Sequence, residues 1–363
     1  STRRVDACRV LEGQESSEAL VRLPALFSVC GRAQGVAARM ALERALGIAA
    51  PADADQLDAG LVQLETASVY LWLLLLELQR ALGRPPRLDL LAPLHRRLQR
   101  GWPQVLGEGW PRLGRREAVT DCRAPLEEVQ RIAEQALFGA QIGDWLQRWH
   151  AEDATAVLDW IWQGEAPGAG VLRAVLEQGQ SLWQVVCPTM PSSISEAFVE
   201  ELTLALEREP AFALRPHHRG RALETGALAR QAEQLSAIPA AGGVSGVVRR
   251  LLARLLELAQ IVRALEGEGA SPQRIVGGMG GGGVGVGWVE TARGLLIHRV
   301  ELVGGRVRRY QIVAPTEWNF HPQGALVRAL RQLPGGGAAA VQRRATLLVL
   351  AADPCVDYRL ELR

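Results

Sequence analysis

Apolar residues recur at helical spacing along most of the first 267 positions, with Leu, Val and Ala repeating every three or four residues. Pro24 and Gly31 interrupt the first of these stretches, so we expect a break in the helix near Cys30. The segment 84–120 is rich in Pro, Gly, Arg and Trp, which predicts irregular structure. The pattern otherwise predicts helices over 17–48, 58–82, 125–150, 152–163, 170–186, 194–207, 227–236 and 244–267.

The pattern changes at Gly277. Residues 277–285 are rich in Gly and low in complexity, which predicts a mobile loop. They contain the letters GxGxxG, but no strand–turn–helix context surrounds them, so a dinucleotide site is not indicated. The Gly304-Gly305 pair predicts a hairpin turn. β-rich segments predict strands at 286–290, 295–303 and 307–313, and helices are expected again at 324–333 and 338–352.

These elements predict a single domain over residues 1–363, of the α+β class and mainly helical, with a small antiparallel β element around residues 286–313. A chain of 363 residues that is 48% hydrophobic can bury a large core. The net charge of +2 does not indicate nucleic acid or an anionic membrane as a partner. All 41 basic residues are Arg, which excludes a Schiff-base or P-loop lysine.

The most apolar run, 68–76, is too short to cross a bilayer, so we predict a buried core helix and no membrane insertion. No apolar signal-type stretch follows the first residues. The cysteines are odd in number and widely spaced, without a CxxC pair. Together these features predict a cytoplasmic protein. The five cysteines are Cys8, Cys30, Cys122, Cys187 and Cys355.

Cys30 precedes a predicted helix. A thiol at a helix N-terminus, with Arg32 and Arg39 near it, is expected to have a lowered pKa and to be partly thiolate. Taken alone, Cys30 and Cys355 are each more readily explained as small buried side chains than as ligands. Their sequence surroundings change this interpretation.

Five short motifs follow one another in a fixed order. They are Cys30-Gly31, ETGALAR at 224–230, ETARGLLIH at 290–298, YQIVAPTEWN at 310–319 and DPC at 353–355. They resemble the RxCGxCxxxH, ExGPLAR, EAPRGxxxH, YQxVxPTxWN and DPCxxCxxH motifs of nickel–iron hydrogenase large subunits. The resemblance implies a hydrogenase large-subunit-like helical fold. Residues 40–215 match none of these motifs.

The departures from the family are as informative as the matches. Ala33 and Ala37 stand where the first motif has its second cysteine and its histidine, and Tyr358 and Glu361 stand at the corresponding C-terminal positions. The enzymes need four thiolates, and both bridging thiolates are among the residues lost here. Two thiolates cannot build a bimetallic site, so no nickel is expected.

The residues that remain correspond to the iron half of the family's site. The resemblance places Arg293 over the iron and Pro315 and Thr316 against its cyanide ligands. A guanidinium and a hydroxyl or backbone N–H are suitable donors to a metal-bound cyanide. Cys30 and Cys355 could bind the iron if the chain ends meet, as they do in the family. The expected cargo is therefore a transient Fe(CN)₂CO group.

This pattern is similar to that of the HupK/HoxV-type hydrogenase assembly proteins. The resemblance implies a non-catalytic scaffold that works with hydrogenase maturation chaperones and passes its cargo to the apo hydrogenase large subunit. Two alternatives stay open: a divergent hydrogenase-like enzyme with a two-thiolate iron site, and a cargo-free structural docking partner. His298 and His321 are interpreted as structural, and His217-His218 as a solvated loop rather than a metal pair.

Overall fold

The fold is described from a computed structural model. It describes residues 7–27, 30–51, 54–106, 110–114, 123–150, 154–178, 187–209, 211–236, 238, 246–267, 276–355 and 358–361. Within these ranges the α-helices are α1 Ser16–Ala25, α2 Gly31–Leu46, α3 Ala54–Trp72, α4 Leu78–Ala81, α5 Leu88–Leu106, α6 Arg123–Ala133, α7 Ile142–His150, α8 Ala154–Gln163, α9 Pro167–Glu177, α10 Glu196–Arg208, α11 Ala227–Arg230, α12 Ala232–Ser236, α13 Gly246–Leu265, α14 Pro315–Asn319, α15 Ala325–Arg331 and α16 Ala338–Ala352.

Short helical turns link several of these helices. A π-helical turn, Leu73–Glu77, joins α3 to α4, and a second one, Glu134–Phe138, extends α6. Two 3₁₀ turns, Ala7–Leu11 and Phe212–Leu214, precede α1 and follow α10. The mainly helical character predicted from the sequence is therefore confirmed.

The prediction of irregular structure over 84–120 is wrong for its first half, because α5 spans Leu88–Leu106. Two prolines in this helix obscured its apolar stripe. That stripe is buried against the core and stabilises the helix despite the prolines. It consists of Leu90, Leu91, Leu94 and Leu98.

Four antiparallel strands form one sheet in the order β1-β2-β3-β4, with bounds β1 Val276–Gly281, β2 Val284–Thr291, β3 Gly294–Val303 and β4 Arg306–Val313. The predicted antiparallel element is confirmed and gains a strand. Gly304 and Gly305 form the predicted hairpin turn with φ of 59° and 78°, values that glycine adopts without steric cost. The expectation of a loop over 277–285 is wrong, because these residues form the β1–β2 hairpin around a turn at Gly282 and Gly283.

The glycines of this hairpin allow α2 to lie directly on the sheet. A Cβ atom added to Gly287 would be 2.2 Å from the carbonyl oxygen of Ala37, and one added to Gly285 would be 1.9 Å from that of Ala41. Side chains at these positions would therefore push the helix away from the strand. Gly285 and Gly287 are therefore close-packing positions, which let the middle of α2 lie against β2.

Buried ion pairs join the segments that carry the sequence motifs. Arg230, at the end of α11, donates to Glu257 of α13 at 2.6 Å and also pairs with Glu290 of β2. Arg250 of α13 pairs with Glu224. Buried charges are tolerated only when they are paired in this way. The segments around 224–230 and 290 therefore meet beneath the site described below.

One helical stretch, Asp55–Ala81, is long and apolar enough to cross a membrane by length and composition alone. In its most apolar window, 67% of the residues are buried inside the protein. This burial is what a core helix shows, and the predicted buried helix around 68–76 lies within it.

Candidate metal centre

Cys30 lies at the N-terminus of α2, where it is the N-cap residue, as the sequence predicted. The first turn of this helix receives a carboxylate from the neighbouring helix α3. The backbone N–H groups of Arg32 and Ala33 donate to Glu65 at 3.1 and 3.0 Å. These donors would otherwise have no partner within the helix, and a negative charge is favoured at this end of the helix dipole. Glu65 is itself buried.

The prediction of a lowered pKa for Cys30 is wrong. Burial, the negative charge of Glu65 and the neighbouring Cys355 raise the pKa of the Cys30 thiol to about 12, although Arg293 and Gln34 act in the opposite direction. Arg39, which was expected to help, lies two turns away and is paired with Asp58. The N–H groups at the helix N-terminus, which would have stabilised a thiolate at Cys30, donate to Glu65 instead. Cys30 is therefore a protonated thiol at neutral pH.

Cys355 follows the last helix and is turned back towards the sheet. Helix α16 ends at Ala352, and Asp353 adopts a left-handed conformation with φ of 50°. Its N–H donates to the carbonyl oxygens of Val349 and Leu350 at 3.0 and 3.1 Å. Asp tolerates this conformation better than most residues, and the turn reverses the chain after the helix.

A second contact holds the thiol of Cys355. Thr316 Oγ1 donates to Cys355 Sγ at 3.0 Å. Pro315 is the first residue of α14, a favoured position for proline, and is buried. It thereby places Thr316 in the first turn, facing the end of the chain. The segment 315–316 and the DPC segment thus meet as the family pattern implied.

Arg293 interacts electrostatically with both thiols. Its Nε donates to the carbonyl oxygen of Asp353 and its Nη2 to the Asp353 carboxylate, both at 3.2 Å. Burial lowers the pKa of Arg293, but Asp353, Cys30, Cys355 and Glu65 together raise it above its usual value. The guanidinium is therefore a permanent cation that interacts with both cysteines.

One polar atom of Arg293 and one of Asp353 make no hydrogen bond to the described residues. Within the part of the chain that the structure describes, Arg293 Nη1 makes no hydrogen bond. Asp353 Oδ2 is buried and also has no hydrogen-bond partner there. The Arg293 side chain as a whole is buried, and Nη1 is its remaining donor group. Nη1 is thus available to an acceptor in this pocket.

The structure brings together Cys30, Cys355, Arg293 and Thr316. The four positions at which the family's ligands are lost offer no replacement. Ala33 and Ala37 are fully buried alanines. The positions near the C-terminus are both exposed: Tyr358 lies near Glu77, and Glu361 pairs with Arg359. Among the described residues, no group of three or more His, Cys, Asp or Glu could hold a metal ion.

The histidines lie outside this centre. His217 and His218 are partly exposed and pair with Glu209 and Glu201, each at 2.9 Å. His298 is fully buried within the sheet. His321 accepts a hydrogen bond from the backbone N–H of Gln323. Their interpretation as structural or solvated side chains agrees with these contacts.

Cys8 and Cys187 have other neighbours. Cys8 packs in a buried cluster with Leu11 and Tyr310, and Cys187 accepts a hydrogen bond from Arg328 at 3.4 Å. Cys122 lies outside the described residues.

Three residues of the centre were not singled out from the sequence. Gln34 lies one helical turn after Cys30, and Asp353 stands two positions before Cys355, so their spacing could have indicated both. Glu65 carries no such signal, because it reaches the site only through the packing of α3 against α2. After burial, the charge of Glu65 is the next cause of the raised pKa of Cys30.

The fold and the pair of terminal cysteines place the chain among the relatives of hydrogenase large subunits. The [NiFeSe] hydrogenase of Desulfovibrio vulgaris Hildenborough, solved as a G491S variant, superposes with a TM-score of 0.59 at 16% identity, covering 98% of this chain and 92% of that one. An NAD⁺-reducing [NiFe]-hydrogenase superposes with a TM-score of 0.54. The family model for nickel-dependent hydrogenases matches residues 247–328.

Curated relatives define a narrower family within this class of proteins. The hydrogenase expression/formation protein HoxV of Cupriavidus necator is 32% identical over 97% of this chain and 89% of its own length. The HupK proteins of Rhizobium leguminosarum bv. viciae and Azotobacter vinelandii are 31% and 33% identical over 98% of this chain. The chain belongs to this family of hydrogenase expression/formation proteins. The matches extend through residues 40–215, which carried no motif.

Proposed function

We propose that this protein is a non-catalytic scaffold of nickel–iron hydrogenase maturation. It holds an Fe(CN)₂CO group between Cys30 and Cys355 and delivers it to the apo hydrogenase large subunit. The observation that carries the proposal is the meeting of two thiols from opposite ends of the chain around Arg293, with Thr316 donating to one of them. The names of the curated relatives support a role in hydrogenase formation.

The donor set suits the iron group. Iron(II) bound to CO and cyanide is a soft metal centre that favours thiolate ligands. The unbonded Nη1 of Arg293 is a donor for the nitrogen of a cyanide ligand. Arg293 also provides positive charge beside two thiolates, which offsets part of the negative charge that builds up when both cysteines are deprotonated.

The protonation state of Cys30 in the protein without iron determines how iron binding depends on pH. Cys30 is protonated in the free protein, since burial and Glu65 raise its pKa to about 12. Binding iron as a thiolate therefore releases that proton, and iron affinity should increase with pH. A ligand that must lose a proton at each binding event holds its metal less tightly than a preformed thiolate. This property fits a carrier, which has to release its cargo.

The positions without ligands support a carrier over an enzyme. Ala33 and Ala37 are buried and have no ligand atoms, and Tyr358 and Glu361 are exposed. In the proposed complex the iron has two protein ligands, and nickel has no site. A purified protein that oxidised hydrogen in a viologen assay would contradict the non-catalytic part of the proposal.

The test is infrared spectroscopy of the anaerobically purified protein, co-expressed with the hydrogenase maturation machinery. Metal-bound CO and cyanide absorb in a window where protein is nearly silent. We expect CO and cyanide bands in the wild type, and their loss in Cys30→Ala and in Cys355→Ala. The matched control is Cys187→Ala, which removes a free thiol outside the centre and should keep the bands.

Two results would overturn the proposal. One is a silent infrared window together with the absence of iron by elemental analysis, in protein that is folded and co-expressed as above. The other is normal hydrogenase maturation in cells that carry folded Cys30→Ala or Cys355→Ala protein. Either result would favour a docking partner without cargo.

A further inference from the structure

A line of buried polar side chains leads from Cys30 into the sheet. Gln34 Nε2 lies 3.7 Å from Cys30 Sγ, and Gln34 Oε1 lies 2.8 Å from His298 Nε2. His298 Nδ1 lies 2.8 Å from the hydroxyl of Tyr310. Gln34, His298 and Tyr310 are all buried, with His298 completely inaccessible. The line connects α2 with β3 and β4, and the ligand chemistry described above does not use it.

The chemistry of each member sets the direction of the hydrogen bonds. Gln34 Oε1 can only accept, so His298 Nε2 must carry a hydrogen. Burial lowers the pKa of His298 to about 3, so the ring is neutral and Nδ1 keeps its lone pair. Tyr310 must then donate its hydroxyl hydrogen to Nδ1. Burial raises the pKa of Tyr310 well above its usual value, so this hydrogen is retained.

Every donor in the line therefore points towards Cys30. The last one is the amide N–H of Gln34, which faces the sulfur. If the Gln34 amide were reversed, its carbonyl oxygen would face the sulfur and repel a thiolate. That reversed orientation requires His298 to carry its hydrogen on Nδ1 and to donate it to Tyr310, so the tautomer of His298 decides which atom of Gln34 faces the sulfur. A glutamine side chain is flexible, and an anchor of this kind removes its rotational freedom.

We propose that Gln34, held in one orientation by His298 and Tyr310, is a positioning residue that fixes the sulfur of Cys30 for iron binding. This inference rests on the proposed function of Cys30 as an iron ligand. It gives the two sulfurs one side-chain donor each: Gln34 for Cys30 and Thr316 for Cys355. A donor to a ligating sulfur reduces the electron density that the sulfur passes to the metal.

The first test uses the protein without cargo. Nitrogen-15 NMR of protein labelled at its six histidines distinguishes the two neutral forms of the ring, and His298→Gln identifies the His298 signals. We expect hydrogen on Nε2 and none on Nδ1 at neutral pH. In Gln34→Met the Nε2–H loses its acceptor and its signals should shift. A ring that carries its hydrogen on Nδ1 would overturn the inference, because Gln34 would then face the sulfur with its oxygen.

The second test uses the loaded protein and the infrared bands. Gln34→Met keeps the side-chain volume but removes the N–H, so the CO and cyanide bands should move to lower frequency. The same shift is expected for His298→Leu and should be largely reversed in His298→Gln, which restores an N–H near the Nε2 position. The matched control is Gln79→Met, a buried glutamine bonded to the Leu74 carbonyl outside this centre.

The two tests distinguish the positioning role of Gln34 from the scaffold function of the protein. Bands that stay in place in folded Gln34→Met protein would overturn the positioning role while leaving the scaffold function intact. A wild type without any bands would overturn the scaffold function, and the NMR result would still decide the direction of the hydrogen bonds. If Gln34→Met does not fold, Tyr310→Phe tests the same line from its far end, and it predicts a smaller shift of the bands in the same direction.

Discussion

The two cysteines of the centre are held in different ways. Cys30 caps a sixteen-residue helix that lies against glycines of the sheet, and its surroundings include Glu65, Gln34 and the buried His298. Cys355 lies three residues beyond the end of α16, and side-chain contacts from Thr316 and from the Arg293–Asp353 pair hold this segment. One thiol is therefore part of the core, and the other belongs to a chain end.

This difference shows how a two-ligand centre can be both specific and reversible. The Cys30 side is fixed when the core folds, because its position depends on helix–sheet packing. The Cys355 side depends on a few side-chain contacts to a short segment beyond α16. Weakening these contacts would open the centre without unfolding the protein. The following predictions test each side separately.

The largest effect is expected on the Cys355 side. Arg293→Met removes the partner of a buried carboxylate, and we expect a loss of about 3–5 kcal/mol in the free energy of unfolding. Asp353 would be left without its cation in a buried site where Oδ2 already lacks a donor. Chemical denaturation measures this loss, and alkylation of Cys355 should become faster. Arg87→Met, which breaks an exposed pair with Asp89, should leave stability unchanged. Similar losses in both variants would contradict the structural role of Arg293.

On the Cys30 side, the close contact between α2 and β2 is tested by Gly287→Ala. The added methyl group would meet the backbone carbonyl of Ala37, which cannot move without the helix. We expect a loss of about 3 kcal/mol, at the upper end for overpacking, measured by thermal or denaturant unfolding. Gly281→Ala adds the same group where no atom lies within 4 Å and should be close to neutral. Equal stability of the two variants would show that α2 does not rest on the strand.

The buried histidine makes the Cys30 side sensitive to acid. His298 has a folded-state pKa of about 3 against a usual value of 6.5. Between these pH values the unfolded chain binds more protons than the folded one, so stability falls as pH falls. From pH 7 to pH 5 this loss should be about 2 kcal/mol in the wild type and absent in His298→Gln. Denaturant titrations at both pH values measure the difference, because all other groups titrate in both proteins. Parallel pH curves would mean that His298 is not held neutral.

The smallest effect concerns the hydroxyl that holds Cys355. Thr316→Val keeps the shape of the side chain and removes the donor to Cys355 Sγ. We expect a loss of about 1 kcal/mol and faster alkylation of Cys355, with Cys30 unaffected. Thr203→Val removes a buried hydroxyl that bonds within α10, so it should cost a similar amount without changing either thiol. Unchanged reactivity of Cys355 in Thr316→Val, determined by mass spectrometry, would contradict the contact.

The sequence by itself determined the helical character, the antiparallel strands around 286–313 and the residues that meet at the centre. The periodicity of apolar residues indicates which face of a helix or strand is buried. Motifs such as DPC and ETARGLLIH identify site residues because the spacing of their side chains is visible in the sequence. Only the tertiary structure decided the Gly-rich hairpin, the helix at 88–106 and the protonation of Cys30. The glycines at 277–285 show no apolar periodicity, and the reason for a glycine such as Gly285, where a side chain would meet the backbone of α2, is visible only in the packed structure. The pKa of Cys30 is raised because the fold buries the thiol and brings Glu65, 35 positions further along the chain, onto the same helix end, and no local pattern contains either effect.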